Sequence, residues 1–378
     1  MPWEIKSEME QREAFVLEAN QHQTSFAALC HAYGISRKTG YKWIARSKQG
    51  EPLCNQSRRP NQSPNKTPEQ IEQLIVSMRQ AYPAWGGKMI KQVLENAGFK
   101  DIPSSKTCCT ILKRNGCIDP VESLKHVPFQ RFQREKCNQL WQMDFKGDFL
   151  LGDGSRCYPL DILDDCSRFC LRIEAKPAAT DVKSSLIRTF EQYGLPDAIL
   201  TDNGAQFAGF RGGYSHVERF LMDLDILPIH GRIMHPQTQG KIERFHRTMK
   251  QEALRTIPQN IEHAQRQLEH WRFLYNQIRP HSALQMKTPA DIYVPSSRIY
   301  TAPKPYDYDS QARMVKVNNW GYLRFGPVQV YLSETMKDTY LQIQPTEHDC
   351  FDVIYRNFKI ACIDAVNNKL VNRHIQKV

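Results

Sequence analysis

Residues 140–151 read LWQMDFKGDFLL, and their alternation of apolar and polar side chains decides the fold class. In an extended chain, Trp141, Met143 and Phe145 lie on one face, while Asp144 lies on the other. A period of two is typical of a strand that is buried on one face. The segment therefore predicts a strand that holds one acid, Asp144, beside a core.

The residues that follow continue this pattern and then alternate between two periods. Apolar runs predict strands at 158–163, 169–174, 198–201 and 226–229, and helical spacing appears at 180–190, 217–224 and 238–254. Consecutive strands followed by alternating helices and strands predict a mixed α/β sheet with helices on its faces.

Three acids in this block suit metal chemistry. Asp144 lies in the first strand, and Asp202 follows a later strand at its carboxyl end, where α/β folds place ligands. Glu243 lies on a helix that carries His246 one turn on and Lys250 two turns on. Carboxylates are the ligands that Mg²⁺ prefers, and two such ions about 4 Å apart stabilise both the entering and the leaving oxygen in phosphoryl transfer.

Each acid also has a structural explanation. Asp144 fits the polar face of a strand, Asp202-Asn203-Gly204 is a common turn, and Glu243 suits an ion pair within its own helix. Taken singly, each acid is better explained by its structural role than by catalysis, because acidic residues are plentiful and short motifs match by chance.

The amino-acid composition limits the kinds of partner and site that the protein is expected to have. The chain has 378 residues, enough for two to four domains, and its 51 Lys and Arg exceed its 40 Asp and Glu, for a net charge of +11. Such an excess favours polyanions such as DNA. The 11 Cys form no CxxC pair, which argues against a disulfide framework or a four-ligand zinc site. The absence of a long apolar run or signal-like start predicts a cytoplasmic protein without membrane contact.

Segments rich in proline, serine, asparagine or charge divide the chain into four blocks. We predict a multidomain protein with two all-α DNA-binding domains, a helix-turn-helix and then a second helix-turn-helix or winged helix, before the mixed core. A small all-β barrel that contacts DNA or protein would complete it. These domains would span residues 1–50, 66–118, 137–295 and 311–378.

Basic residues on the N-terminal helices are candidate DNA contacts. A helix that begins after Ser36 is basic at its start, where a recognition helix meets bases and phosphates. A plain helical bundle with a solvated basic face is the alternative. The candidates are Arg37, Lys38, Lys42, Arg46, Arg58 and Arg59, together with Lys106, Lys113 and Arg114 in the second block.

Three stretches carry a resemblance to a known family. They are WQMDF at 141–145, TDNGAQF at 201–207 and HPQTQGKIERFH at 235–246, and a shorter similarity continues to residue 290. In these stretches the sequence resembles the DDE transposases of bacterial insertion sequences, whose catalytic core is of the retroviral-integrase type.

The resemblance implies a ribonuclease-H-like core with Asp144, Asp202 and Glu243 as the metal-binding triad. Two Mg²⁺ ions, with Mn²⁺ as a substitute, would be the cofactors, and His246 and Lys250 would contact DNA beside them. The interval between Asp202 and Glu243 is longer than the family usually has, which predicts an extended loop around residues 209–216.

Other acids of the core are expected to lie outside the metal site. The acids of the DDCSR turn at 164–168 would shape that turn by analogy with the family, and the further acids excluded are Asp148 and Asp161.

The expected activity is binding of the terminal inverted repeats of an insertion sequence, cleavage to free 3′-hydroxyls and joining to target DNA. Pairing two ends favours a dimer or a higher oligomer. Two alternatives are a catalytically silent DNA-binding regulator and a structure-specific nuclease.

Overall fold

The computed structural model describes residues 7–55, 66–118, 134–209, 213–231, 240–346, 350–372 and 374–378. The chain divides into two units, Met1–Lys66 and Thr67–Val378. Within the described part of the chain, no helix has the length and apolar character needed to cross a membrane.

The first unit contains three helices in its described part, and the predicted helical character of this region is confirmed. They are α1 (Glu8–Gln21), α2 (Phe26–Ala32) and α3 (Arg37–Lys48). Ser36 begins α3, because its Oγ accepts a hydrogen bond from the amide of Thr39 at 3.2 Å. Phe15, Leu29 and Trp43 meet in the core between the helices.

Gly40 lies in the middle of α3, where a glycine is normally unfavourable. Its presence is explained by close packing. A Cβ atom at this position would lie 2.8 Å from Cys30 Sγ and 2.9 Å from the rings of Phe15 and Phe26. Only a residue without a side chain therefore lets α3 approach the other two helices.

The second unit begins with three further helices, α4 (Glu69–Ala81), α5 (Gly87–Asn96) and α6 (Ser105–Arg114). Ile75, Trp85, Ile90 and Ile111 form their shared core. Ser104 caps α6 through a 3.2 Å hydrogen bond from the amide of Thr107.

A six-stranded mixed sheet follows, as predicted. Its order is β2-β3-β1-β5-β6, with β4 paired to β3. Strand β1 is antiparallel to β3 and parallel to β5, which is parallel to β6. The strands are β1 (Trp141–Phe145), β2 (Phe149–Leu150), β3 (Arg156–Asp164), β4 (Cys170–Lys176), β5 (Ala198–Thr201) and β6 (Leu227–His230).

Helices cover both faces of this sheet. Helices α7 (Val182–Tyr193) and α8 (His216–Asp223) pack against the face that carries Trp141 and Met143. Helices α9 (Gly240–Glu252) and α10 (Ile261–Phe273) pack against the opposite face. Because Gln142 and Asp144 alternate with the residues of the first face, they lie beneath α9.

The C-terminal region is antiparallel. Strands β7 and β10–β14 form one sheet and β8–β9 a hairpin, around a shared core. No closed sheet occurs among the described strands, so the predicted barrel is not confirmed. The strands are β7 (Met314–Lys316), β8 (Tyr322–Phe325), β9 (Val328–Tyr331), β10 (Tyr340–Pro345), β11 (Cys350–Tyr355), β12 (Phe358–Asp364), β13 (Lys369–Asn372) and β14 (Gln376–Lys377).

These sheets pack against α8 of the second unit. Tyr214 and Met222 belong to the same apolar cluster as the C-terminal strands. An ion pair of 3.0 Å joins Asp223 Oδ1 to Arg356 Nε at this contact.

Candidate active site

Asp144 lies on β1, on the sheet face beneath α9, with Asp161 of β3 as its register partner. Burial raises the pKa of Asp144 to about 7; His246 opposes this rise, whereas Asp202 and Asp161 add to it. Asp144 therefore lies near two further carboxylates, those of Asp202 and Asp161, and near the His246 imidazole. Excess negative charge of this kind suits a cation.

Asp202 follows β5 at its carboxyl end. The parallel register pairs Gln142 with Leu200, and continuing it by two residues brings Asp202 level with Asp144. Asp202 Oδ1 accepts a 2.9 Å hydrogen bond from the amide of Gly204. A Cβ on Gly204 would lie 2.9 Å from that same oxygen, so the glycine leaves room for the carboxylate.

A histidine supports the Asp202 backbone. His230 Nδ1 lies 3.2 Å from the carbonyl oxygen of Asp202, and its Nε2 lies 2.9 Å from Glu218 Oε1. Burial lowers the pKa of His230, but the Glu218 carboxylate outweighs this effect and the net pKa is raised. Neither residue was selected from the sequence, because 12 positions separate them and no short motif joins them.

Glu243 lies in the first turn of α9 and is exposed. Its neighbours Ile242 and Phe245 are buried against the sheet, so the helix itself is firmly seated. The segment 232–239, which precedes this helix, lies outside the described residues. The structure therefore brings Asp144 and Asp202 together, and the position of Glu243 in the triad stays a prediction.

The donor set was tested against the implied metal. Among the described residues, no group of three or more His, Cys, Asp or Glu side chains is close enough to hold a metal ion. The chemistry nevertheless fits Mg²⁺, because the candidate ligands are all carboxylate oxygens. In addition, Asp161 Oδ1 is buried beside Asp144 and has no hydrogen-bond partner among the described residues. Uncompensated negative charge on this face is what a divalent cation would neutralise.

His246 faces inward. Its Nε2 lies 2.7 Å from Asp161 Oδ2, and Asp161 is wholly buried. This places the predicted DNA contact His246 between α9 and the sheet, next to Asp144. Asp161, which was expected to lie outside the metal site, is within hydrogen-bond distance of this imidazole.

A second acid–base pair joins α9 to the sheet. Asp165 Oδ1 accepts hydrogen bonds from Gln142 Nε2 at 2.7 Å and from Lys241 Nζ. Burial, followed by the nearby Arg168, lowers the pKa of Lys241 to about 8. Sequence analysis did not select Lys241, because a single lysine at a helix start carries no signal by itself.

The adjacent Asp164 shapes the turn after β3, as the family resemblance implied. Its Oδ1 accepts from the amide of Asn138 at 2.7 Å, and its Oδ2 accepts from the amide and hydroxyl of Ser167 at 2.8 and 2.6 Å. Asp148, another excluded acid, forms an ion pair with Arg156.

Two lysines stand near the acids. Lys250 is exposed on α9, and Lys146 lies directly after β1, two residues beyond Asp144. Burial, and then repulsion from Lys250, lowers the pKa of Lys146. Lys146 was not among the predicted contacts, although its place on the polar face of the strand was a usable signal.

Arg279 and His281 both make contacts within the protein. Arg279 Nε lies 3.1 Å from Glu252 Oε1, and the His281 ring packs edge-on against Tyr275 at 4.8 Å. Burial, and then Arg279, lowers the pKa of His281 to about 3. The imidazole is therefore neutral and turned into the protein.

The predicted DNA contacts of the helical regions differ in accessibility. Two are engaged within the chain, since Arg46 donates to the carbonyl of Cys54 at 3.0 Å and Arg114 pairs with Glu72. Arg58 and Arg59 lie outside the described residues. The exposed candidates are Arg37, Lys38, Lys42, Lys106, Lys113 and, alongside its ion pair, Arg114.

Family comparisons cover the core and the N-terminal region. The Integrase core domain family matches at residues 134–236 and again at 224–289. The leucine-zipper of insertion element IS481 matches residues 11–80. Within the described part of that region the longest helix is α1, of 14 residues.

Several curated proteins are similar over part of the chain. The transposase for transposon Tn552 of Staphylococcus aureus is 25% identical over 62% of this chain and 54% of its own length. An uncharacterized protein of insertion element IS136 from Agrobacterium fabrum is 29% identical over 30% of this chain. The chain spans 58% of that relative's length.

One solved structure that the chain resembles is a simian T-cell lymphotropic virus intasome in complex with a PP2A regulatory subunit. Its TM-score is 0.37 and its sequence identity 13%, and the match covers 74% of this chain and 91% of that chain. The BIV integrase catalytic core has a TM-score of 0.30 and 21% identity, covering 41% and 93%. The two Integrase core domain matches thus span residues 134–289, and the chain is similar over part of its length to the transposase for transposon Tn552.

Proposed function

We propose that this protein is a DDE transposase that binds the terminal inverted repeats of an insertion sequence, cleaves DNA to free 3′-hydroxyls and joins them to target DNA. The observation that carries the proposal is that Asp144 lies on β1 and Asp202 directly after the neighbouring parallel strand β5, in a chain whose residues 134–236 match the Integrase core domain family. Glu243, on the helix that covers the same sheet face, would complete the triad of a ribonuclease-H-like site.

Asp144, Asp202 and Glu243 would hold two Mg²⁺ ions, with Mn²⁺ as a substitute. When bound, these ions would activate the attacking hydroxyl and stabilise the leaving oxygen. The protein itself keeps the carboxylates in place, since Asp144 is part of a central strand and Asp202 is tied to Gly204. No nucleophilic side chain is required by this scheme.

Positive charge beside the acids would hold the DNA strand. Lys146 and Lys250 are close enough to repel each other, and a phosphate between them would remove that repulsion. The exposed lysines and arginines of α3 and α6 would bind the element ends, because phosphate contacts dominate DNA affinity. The C-terminal sheets would contact either DNA or a second subunit.

Pairing two element ends requires at least two subunits. The match of residues 11–80 to an insertion-element leucine zipper supports assembly into a dimer or a higher oligomer on DNA. We therefore expect the active species to be multimeric.

A joining assay tests the proposal. Purified full-length protein is incubated with labelled DNA from the ends of its element and a target plasmid, in Mg²⁺ or EDTA. Joined product should form only in Mg²⁺, and Asp202→Asn should remove it while leaving end binding nearly intact. Asp153→Asn is the matched control, since Asp153 is an exposed acid that only accepts hydrogen bonds from Ser155.

The outcomes separate the alternatives. End binding without cleavage would support the silent regulator, and cleavage of branched DNA without joining would support the structure-specific nuclease. Joining by Asp202→Asn at the rate of the wild type would overturn the assignment of the acid.

A further inference from the structure

Helix α9 carries its apolar and its polar contacts with the sheet on separate parts of its surface. Ile242, Phe245 and Met249 form the buried stripe. Lys241 and His246 are five positions apart, which places them about 140° apart around the helix axis, one on each side of that stripe. Lys241 makes an ion pair with Asp165, which directly follows β3, and His246 Nε2 lies 2.7 Å from Asp161 Oδ2 of β3.

On one side, Lys241 pairs with Asp165. Asp165 is 2% exposed, and its remaining oxygen accepts a 2.8 Å hydrogen bond from the amide of Arg134. Because Gln142 also donates to Asp165, this acid connects α9 to β1 two residues before Asp144. The contact links the strand that carries Asp144 to the helix turn that carries Glu243.

On the other side, His246 pairs with Asp161. Asp161 is 0% exposed and is the direct register partner of Asp144. The His246 side chain is only 14% exposed. This second contact therefore joins the β3 residue directly opposite Asp144 to the α9 residue three positions after Glu243.

Apolar packing is not directional, whereas a buried ion pair has a defined geometry and specifies one arrangement. A helix held only by its apolar stripe can rotate or slide on a sheet with little change in buried area. An ion pair on one side of the stripe and the His246–Asp161 hydrogen bond on the other oppose both movements. Neither pair is needed to close the core, which already contains Trp271 and Tyr275 beside Phe245.

We propose that Asp165 and Asp161 are positioning residues, which hold α9 through Lys241 and His246 and so set the place of Glu243 relative to Asp144. The proposal rests on the proposed function only for the role of Glu243. The seating of α9 is a property of the folded protein and is measurable without metal or DNA.

The first experiment is hydrogen–deuterium exchange of the full-length, metal-free protein. Asp165→Asn, Lys241→Met and Asp161→Asn should each accelerate amide exchange in the first two turns of α9 about tenfold, because the local opening free energy falls. Glu174→Gln is the matched control. Glu174 is also largely buried and pairs with Arg188 at 2.9 Å, but it joins β4 to α7. It should accelerate exchange in α7 and leave α9 unchanged.

The second readout is Mg²⁺ binding measured by calorimetry, with strand cleavage as a function of Mg²⁺ concentration. Asp165→Asn and Lys241→Met should raise the half-saturating Mg²⁺ concentration severalfold, and cleavage should recover largely at high Mg²⁺. Lys241→Arg should restore both values towards the wild type. In the double variant that combines Asp165→Asn with Lys241→Met, Mg²⁺ binding and cleavage should be no weaker than in the more damaged single variant. Each substitution by itself already removes the same ion pair.

The results are decisive in each direction. Unchanged α9 exchange in Lys241→Met, whose side chain lies at the edge of the core, would overturn the proposal even if Asp165→Asn fails to fold. A shift in the Mg²⁺ midpoint as large in Glu174→Gln would also overturn it, since general destabilisation would then explain the effect. Wild-type protein that binds Mg²⁺ but cleaves no DNA would refute the proposed function and leave the exchange result standing.

Discussion

Asp144 and Asp161 occupy directly opposed positions on the antiparallel strands β1 and β3, so two carboxylates share one buried face of the sheet. Burial disfavours ionisation of Asp144 most strongly, and the nearby carboxylates of Asp202 and Asp161 add to this effect. The pKa of Asp144 is consequently raised to about 7. This relationship has consequences for stability that do not depend on DNA.

The first prediction concerns pH. Because the folded protein holds the Asp144 proton more tightly than the unfolded chain, the free energy of unfolding falls as the pH rises from about 4 to about 7. Asp144→Asn carries no charge at any pH and should therefore be more stable than the wild type at pH 8, by up to about 4 kcal/mol.

Urea unfolding of both proteins at pH 5 and pH 8, in EDTA, measures this difference. Added Mg²⁺ should stabilise the wild type at pH 8 and not the variant. Equal stability of the two proteins at pH 8 would show that the surroundings of Asp144 do not raise the pKa of its carboxyl group.

A second prediction concerns acid stability. His281 is neutral in the folded protein, since burial lowers its pKa to about 3, whereas the unfolded chain takes up a proton below about 6.5. The free energy of unfolding should therefore fall as the pH falls from about 6.5 towards 3. Between pH 7 and pH 5 the loss should be about 2 kcal/mol.

His281→Phe keeps an aromatic ring against Tyr275 and removes the titrating group. Chemical denaturation at the two pH values should show a smaller acid-induced loss in this variant. A loss that is the same in both proteins would assign the acid sensitivity to other groups.

A third prediction concerns DNA affinity near the acids. Lys146→Gln should reduce the slope of log affinity against log salt by about one, as expected for the loss of one phosphate contact. Lys183→Gln is the control, because this exposed lysine lies on α7, over the ring of Phe220 on the opposite side of the sheet. Fluorescence anisotropy at several salt concentrations gives the slopes. Equal slopes for wild type and Lys146→Gln would remove Lys146 from the DNA path.

A fourth prediction concerns the first helical unit. Gly40→Ala gains about 1 kcal/mol of helix propensity, but overpacking against Cys30, Phe15 and Phe26 should cost about 1–3 kcal/mol, so the variant should be the less stable protein. Gly86→Ala meets no atom within 4 Å and should be nearly neutral. Thermal unfolding should show the difference, and Gly40→Ala should also weaken end binding. Unaltered stability of Gly40→Ala would mean that the three helices can separate without penalty.

The order of elements could be read from the chain because it depends on local periodicity. The alternation around Asp144, the apolar run before Asp202 and the helical stripe around Glu243 each span only a few residues. Motif similarity then joined three distant segments into one hypothesis. The structure contains the mixed sheet that this hypothesis implies. The C-terminal strands were equally visible, but strand closure depends on pairings between distant segments, and the barrel was not confirmed.

The amino-acid sequence by itself determined which acids are candidate ligands and which segments become strands or helices, since both are matters of residue type and spacing. Only the tertiary structure decided which charges are partnered. Burial and the approach of distant segments placed Asp165 beneath Lys241, turned His246 towards Asp161 and buried His281. These contacts join residues 76 and 85 positions apart or depend on desolvation, and neither quantity exists until the chain has folded.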